Sequence, residues 1–127
     1  MLLVGLAVVP DGRDLRRLVG LLRERIADPG LAVLTAHGSP AARYAHFQAV
    51  LEGRARVVVG TRSAAFAPLP SADLLLLWDD GDDSHAERRA PYPHAREVLA
   101  MRAERSSALI VGGYARSTNV QRWLDIG

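Results

Sequence analysis

The sequence contains no cysteine and no lysine, and each absence excludes a class of chemistry. Without cysteine the chain has no disulfide, no thiolate zinc site and no cysteine nucleophile. All 16 basic residues are arginine, so no lysine can hold the phosphates in a P-loop or form a Schiff base. No apolar run reaches the roughly 20 residues of a membrane-spanning helix, and no signal peptide is recognisable. We therefore expect a cytoplasmic protein that does not contact membranes.

The length and composition of the chain fit a single folded unit. Its 127 residues are 49% hydrophobic, which is enough apolar material for one core. The net charge of +2 is too small to indicate nucleic-acid binding without a localised basic surface. The chain begins directly in an apolar run and stops within a helical pattern. We therefore expect residues 1–127 to be one partial domain of a longer protein.

Short apolar runs alternate with amphipathic stretches along the chain. The runs predict buried strands at residues 2–9, 31–34, 56–60, 73–78 and 108–111. Helices are predicted to begin near Asp11, Ser39, His94 and Ser117. In the second helix the predicted buried stripe consists of Tyr44, Phe47, Val50 and Leu51. The alternation predicts an α/β fold, with a mainly parallel sheet and helices on both faces.

The loops at the carboxyl ends of the predicted strands are the expected ligand site, because parallel α/β sheets bind ligands there. These loops are residues 10–13, 60–63, 79–83 and 112–116. The third loop is acidic, and its carboxylates suit Mg²⁺, with Asp79 as the candidate ligand. The alternative interpretation is a solvated turn whose aspartates accept hydrogen bonds from backbone amides.

Two of the loops carry candidates for binding a DNA phosphate. Thr61, Arg62 and Ser63 combine two hydroxyls with a guanidinium, which suits a phosphate oxygen. Alternatively, Arg62 pairs with the acidic loop. Arg13 opens the first helix, where backbone amides favour anions, although it could equally belong to a solvated helix face.

The histidines and tryptophans are expected to be structural. His37, His46, His85 and His94 show no metal-ligand spacing on one helix, so we expect them at the surface or as helix caps. Trp78 and Trp123 have apolar neighbours and are expected in the core. A serine hydrolase and a dinucleotide-binding site are excluded, because the sequence has neither a G-x-S-x-G elbow nor a glycine-rich fingerprint after a strand.

Several motifs together resemble one family of replication-restart proteins. Residues 57–68, V-V-V-G-T-R-S-A-A-F-A-P, resemble the G-T-R-S-A-x-F-x-P segment of the primosomal protein N′ (PriA) family. Residues 8–11 resemble its V-P-E segment, and residues 78–84, W-D-D-G-D-D-S, lie where the family has V-D-E-E-H-D-S. Residues 94–98, H-A-R-E-V, match H-A-R-D-V, and residues 112–117 take the place of G-S-A-T-P-S. The order and spacing hold over nearly the whole chain.

The resemblance implies a three-layer, RecA-like fold of the P-loop-NTPase type, and it implies that the chain is an incomplete first lobe of a superfamily 2 helicase. The family's amino-terminal DNA-binding domain, P-loop region, second lobe and zinc-binding cysteines have no counterpart in the sequence. Zinc would therefore belong to other parts of the family protein. The chain itself implies no cofactor, and any residual magnesium or ATP binding would belong to the parent protein.

The departures from the family pattern fall on the residues of ATP hydrolysis. In the family, the first acid of D-E-E-H helps to hold magnesium and the second orients the attacking water. Asp79 keeps the first acid, whereas Asp80 replaces the second with a carboxylate that is one methylene shorter. An error of about 1 Å in a positioned group can cost roughly 100-fold in rate. Gly81 and Asp82 replace the last two residues of the motif. The pattern resembles actinobacterial family members with degenerate helicase motifs.

The expected function is DNA binding in replication restart rather than catalysis. The resemblance implies a protein that binds stalled or branched forks, contacts primosome and helicase-loading proteins, and reloads the replicative helicase without hydrolysing ATP. The first alternative is an ATP-dependent 3′ to 5′ DNA helicase whose P-loop lies outside this chain. A second is a magnesium-dependent phosphotransfer domain that uses the aspartates alone.

Overall fold

The computed structural model describes residues 4–27, 30–35, 38–69, 72–86, 94–104, 108–114 and 117–126. It contains one parallel sheet of β1 (Gly5–Val8), β2 (Leu31–Leu34), β3 (Val57–Gly60), β4 (Leu74–Trp78) and β5 (Ala108–Gly112). The strand order is β2-β3-β1-β4-β5. The α-helices are α1 (Gly12–Arg23), α2 (Pro40–Leu51), α3 (Ala95–Ala103) and α4 (Thr118–Ile126). Short 3-10 helices span Arg62–Phe66 and Asp83–His85.

Capping side chains start the helices where the sequence predicts. Asp11 accepts a hydrogen bond from the amide of Asp14 at 3.0 Å, and Ser39 accepts one from Ala42 at 3.1 Å. Ser117 does the same for the amide of Val120 at 3.1 Å. These bonds satisfy amides that have no partner within their helix, which fixes the first turn.

Both faces of the sheet are covered by helices. On one face, Leu6, Val58 and Leu75 pack in a core that includes Val50 of α2 and Leu99 of α3. On the opposite face, Leu15 of α1 belongs to a second core, whose buried strand residues include Leu31 and Val59. The predicted three-layer α/β fold with a parallel sheet is therefore confirmed.

Helix α2 packs against the sheet through a different stripe from the one predicted. Tyr44, Phe47 and Leu51 are exposed by 63%, 43% and 52%, and of the predicted stripe only Val50 is buried. The inward face is instead formed by Ala49 and Val50 with the half-buried His46. Small residues let the helix approach the strands closely, so the larger apolar side chains lie outside the contact.

The strand register aligns the carboxyl ends along one edge of the sheet. Val8 of β1 lies beside Gly60 of β3 and Leu77 of β4, and Trp78 lies beside Gly112 of β5. The predicted convergence of the four loops at this edge is confirmed for their described residues; residues 115 and 116 lie outside the described part. Within that part, no helix is both long and apolar enough to cross a membrane.

Candidate functional site

The acidic loop leaves β4 through a tight turn at Asp79. This residue has a φ of 56°, in the left-handed region that side chains other than glycine seldom adopt. Its amide donates to the carbonyl of Gly112 at 2.7 Å, and its own carbonyl accepts from the amide of Asp82 at 2.9 Å. A Cβ atom on Gly113 would lie 3.2 Å from the Cα of Asp79. The backbone of this turn is thus held against the end of β5.

Asp80 is buried, with 2% of its surface exposed, and protein donors occupy both of its carboxylate oxygens. Its Oδ1 accepts from Nη1 of Arg96 at 2.8 Å, and its Oδ2 accepts from the amide of Ser117 at 3.2 Å. The Arg96 side chain is itself buried. Asp80 therefore joins β4 to the first turns of α3 and α4.

The environment of Asp80 favours its ionised form. Burial alone would raise the pKa of the carboxyl, but hydrogen bonds from Ser117 and Arg96 and the charge of Arg96 together hold the pKa below its ordinary value. An ionised, fully hydrogen-bonded carboxylate is stable where it lies. It is poorly suited to accept a proton from water or to orient a water molecule.

The remaining aspartates of the loop do not complete a metal site. Asp82 accepts from the amide of Ser84 at 2.8 Å, and this hydrogen bond lowers the pKa of Asp82. Among the described residues, no group of three or more potential ligands could hold a metal ion. Within the described residues, the side chain of Asp79 makes no hydrogen bond. Magnesium binding at Asp79 stays a prediction, and it would need ligands from outside these residues.

The loop that carries the predicted phosphate-binding residues folds as a 3-10 helix instead of an open loop. Thr61 precedes the helix and is half-buried, whereas Ser63 is exposed. Nη1 of Arg62 donates to the carbonyl of Ala86 at 2.9 Å, just beyond the acidic loop. Arg62 therefore connects two edge loops through a backbone carbonyl. Binding of DNA at these residues stays a prediction.

Arg102 in the last turn of α3 holds this 3-10 segment in place. Its Nη1 donates to the carbonyls of Ala65 and Ala67 at 3.0 and 2.8 Å, and its Nη2 donates to that of Leu69 at 3.2 Å. Burial lowers the pKa of Arg102. Neither Arg96 nor Arg102 is distinguishable in the sequence from a solvent-facing helix arginine, although Arg96 lies within the H-A-R segment.

Arg13 lies exposed in the first turn of α1, at the same edge of the sheet as the loop at residues 60–63, because β1 and β3 are neighbours. Its guanidinium is thus available at the same edge as Ser63. Arg16 and Arg17 follow on the same helix and are also exposed. The geometry suits either of the two sequence interpretations, a phosphate contact or a solvated helix face.

The expectation that the histidines lie at the surface or cap helices is right for His94 and wrong for His85 and for His46, whose Nδ1 accepts from the amide of Val33 at 3.3 Å. His94 caps α3, with its Nδ1 accepting from the amide of Arg96 at 3.0 Å. His85 is fully buried, and its Nε2 donates to the carbonyl of Trp78 at 2.8 Å. An amphipathic helical pattern does not predict the burial of His85, because this residue lies in a 3-10 turn and not in an α-helix. His37 lies outside the described residues.

The tryptophans are only partly buried. Trp78 packs beside the core on the α1 side, and its ring meets the exposed Tyr114 edge-on, with 5.8 Å between ring centroids. Trp123 lines a cavity of about 500 Å³ between β5 and α4, which also reaches Asp80. Leu124 of the same helix is exposed. Helix α4 therefore leaves Trp123 less buried than predicted.

Known proteins resemble the chain both in sequence and in fold. No family model matches it. It is 50% identical over 123 residues to the probable replication restart protein PriA of Mycobacterium tuberculosis, and 47% identical to that of Mycobacterium leprae. Each match covers 96% of this chain and 19% of the relative. The chain thus spans about one fifth of the length of the curated relatives it matches.

Solved structures support the fold. The C-terminal domain of Saccharomyces cerevisiae Dbp5 aligns with 99% of this chain and 68% of that one, with a TM-score of 0.60 and 15% identity. At this identity the likeness shows the fold alone, that of a RecA-like α/β domain, and the assignment to a first helicase lobe stays a prediction. The identity to the mycobacterial restart proteins is 50% and 47%, and it extends over 96% of the chain. The chain therefore belongs to the PriA family of replication restart proteins.

Proposed function

We propose that the chain is a DNA-binding lobe of a replication-restart protein that acts at stalled or branched forks in the cytoplasm. In this role it helps to reload the replicative helicase, together with other primosome proteins, without hydrolysing ATP or unwinding DNA. The observation that carries the proposal is the state of Asp80, whose carboxylate is buried and bound by Arg96 and Ser117.

A carboxylate that orients the attacking water in phosphoryl transfer needs an oxygen that faces the nucleotide. Both oxygens of Asp80 face protein donors instead. Releasing Asp80 from Arg96 would leave two buried charges unpaired, which is unfavourable. Hydrolysis that depends on a released Asp80 would therefore be slow.

The same edge of the sheet offers groups that suit DNA. Arg13 and Ser63 are exposed, and Arg62 donates a hydrogen bond to the carbonyl of Ala86, just beyond the acidic loop. Phosphate contacts of this kind position a protein on DNA without reading its sequence. That property suits a protein that must recognise forks of any sequence.

An active helicase is the second candidate, and the turn at Asp79 is the observation that favours it. A left-handed backbone at a residue other than glycine is found more often at functional sites than elsewhere. Asp79 also follows directly after a central strand, where the first acid of a nucleotide site lies. A P-loop outside this chain could then complete an ATP site around Asp79, and Asp80 would serve as a structural residue.

The test is nucleotide binding and hydrolysis by the full-length protein, measured by calorimetry with magnesium and ATP and then by phosphate release with forked DNA. We expect tight binding of forked DNA and no DNA-stimulated phosphate release. Turnover that is abolished by Asp79→Ala would overturn the proposal in favour of the helicase.

The DNA contacts can be tested in the same protein. Arg13→Ala and Arg62→Ala should each weaken binding to forks of any sequence and lower the slope of log affinity against log salt by about 1. Arg23→Ala is the matched control, because Arg23 is equally exposed but lies in the last turn of α1, at the opposite end of the helix from Arg13. Equal effects of all three variants would contradict a localised site.

A further inference from the structure

Strand β2 has a free side, which is the side that faces away from β3. Of the five strands that the structure describes, β2 and β5 are the outermost, and β2 pairs with β3 alone. The amide of Val57 donates to the carbonyl of Gly30 at 3.0 Å. Because successive residues of a strand direct their backbone groups to opposite sides, residues 31 and 33 direct theirs to the free side. Unpaired backbone groups of this kind are a template for a further strand.

The sequence of β2 does little to protect its free side. The strand reads Leu-Ala-Val-Leu over Leu31–Leu34, with no charged residue and no proline. Charged side chains and proline are among the usual devices that keep an outer strand from pairing with another molecule. The short length of β2, four residues, limits such pairing but leaves the backbone groups in place. Further protection has to come from another element of the fold.

His46 of α2 lies against the free side of β2. Its Nδ1 accepts a hydrogen bond from the amide of Val33 at 3.3 Å. An added strand would lie about 4.8 Å from β2, and one of its carbonyls would accept from this same amide. The imidazole therefore stands where that carbonyl would be. It satisfies the amide and also takes up the space that the new strand needs.

The surface next to His46 is otherwise open and partly apolar. A depression of about 600 Å³ lies beside the ring, and its lining includes Leu31 of β2 and Tyr44 and Gln48 of α2. Tyr44 and Leu51, both on α2, are exposed. Apolar surface next to unpaired backbone groups adds hydrophobic stabilisation to any strand that pairs there. Without the imidazole, β2 would offer both a free amide and an apolar surface to a partner.

We propose that His46 is a guard residue, which keeps β2 from pairing with β2 of a second copy of this chain. The second copy is the relevant partner because it presents the same free side with the same apolar sequence. Two such strands can meet antiparallel about a two-fold axis, with each Val33 amide donating to a carbonyl of the other copy. The guard thus keeps the sheet from continuing into a second molecule.

The test is the oligomeric state of the full chain in sedimentation velocity, with His46→Leu and His46→Asn compared at equal concentrations. His46→Leu removes the acceptor and keeps an apolar side chain. Self-association should strengthen at least about 10-fold, because each copy gains a hydrogen bond between strands. His46→Asn should sediment as a monomer like the unaltered chain, since the amide oxygen of asparagine can replace Nδ1 as the acceptor. A monomeric His46→Leu would overturn the guard.

Gln48→Leu is the matched control for added apolar surface. Gln48 lies on the same helix and lines the same depression, but its side chain donates to the hydroxyl of Tyr44. Gln48→Leu should leave the chain monomeric. Self-association as strong as that of His46→Leu would assign the effect to the leucine side chain and would overturn the role of the imidazole.

Hydrogen exchange and nitrogen NMR of the unaltered chain give a second arm that does not depend on the folding of any variant. The Val33 amide should be protected from exchange although it lies on the free side of β2, and its nitrogen should couple to Nδ1 of His46 across the hydrogen bond. Exchange at the rate of an open amide would overturn the guard. In the dimer of His46→Leu the Val33 amide should again be protected, and free exchange there would show that the copies associate through another surface.

Discussion

Arg96 donates a hydrogen bond of 2.8 Å to Asp80 across 16 positions of sequence, and both side chains are buried. A second ion pair in the chain, Arg54 with Glu52, has the same 2.8 Å separation but is about half exposed. The two pairs have equal N–O distances and different solvation. They allow the contribution of burial to be measured within one molecule.

Breaking the buried pair should destabilise the fold far more than breaking the exposed one. Arg96→Ala leaves an uncompensated buried carboxylate and should lower the free energy of unfolding by about 3–5 kcal/mol. Arg54→Ala should lower it by less than about 1 kcal/mol. Urea unfolding of both variants checks this, and similar losses for the two would show that Asp80 is reached by water.

The double variant Asp80→Leu with Arg96→Met offers a further check on the same pair. Replacing both charges with apolar side chains removes the desolvation cost as well as the attraction, so the double variant should be more stable than Arg96→Ala alone. A double variant that is less stable than the single one would mean that the pair contributes more than charge compensation.

The left-handed turn at Asp79 predicts an unusual order of stabilities. Valine at this position should destabilise the chain by about 1–2 kcal/mol relative to glycine, because its branched side chain opposes a positive φ. Asp79→Gly should remain close to the unaltered chain. Thermal unfolding of Asp79→Gly and Asp79→Val checks this, and equal midpoints would contradict a positive φ in solution.

Two glycines should respond to alanine in opposite directions. Gly60→Ala places a Cβ against the backbone of Leu34 and should destabilise the fold by about 1–3 kcal/mol. Gly20 lies in α1, and no atom lies within 4 Å of the position that an added Cβ would take, so Gly20→Ala should stabilise by about 0.5–1 kcal/mol. Chemical denaturation of the pair measures both, and a neutral Gly60→Ala would place β2 further from the 3-10 segment.

Stability should fall as the pH drops below the ordinary pKa of histidine. Burial first, and then the charges of Arg96 and His85, lower the pKa of His94, while Asp80 and Glu97 oppose this. The unfolded chain then binds more protons below about pH 6.5, so the free energy of unfolding decreases as the pH falls toward the folded-state pKa. The lowered pKa of Asp80 adds a loss only below about pH 4.

His94→Ser isolates this effect, because serine can cap α3 without titrating. Thermal midpoints between about pH 8 and about pH 5 should fall less in His94→Ser than in the unaltered chain. The same fall in both would assign the pH dependence to other groups.

The strands and the helix starts follow from local sequence, and the packing of α2 does not. The valine run before Gly60 and the caps Asp11 and Ser39 specify their elements through nearby residues alone. In α2, a rule that counts large apolar side chains selects Phe47 and its neighbours. The face that packs is made of Ala49 and Val50 with His46, whose Nδ1 accepts a hydrogen bond from the amide of Val33 in β2.

The position of the acidic loop follows from the sequence, but the burial and the hydrogen-bond partners of its aspartates do not. Asp79 and Asp80 are adjacent carboxylates, and no local feature of the sequence distinguishes the half-buried Asp79 from the buried Asp80. The difference arises from where the first turns of α3 and α4 bring Arg96 and Ser117. Such contacts join residues 16 and 37 positions apart and depend on the completed fold.

Helix α3 carries a guanidinium near each end, with Arg96 bound to Asp80 and Arg102 bound to the carbonyls of the 3-10 segment. Arg102 lies six positions after Arg96, which corresponds to a rise of about 9 Å along the helix. A short helix of this kind does not stretch, so it acts as a strut between the two loops. Movement of the 3-10 segment would therefore be transmitted along α3 as a displacement of Asp80.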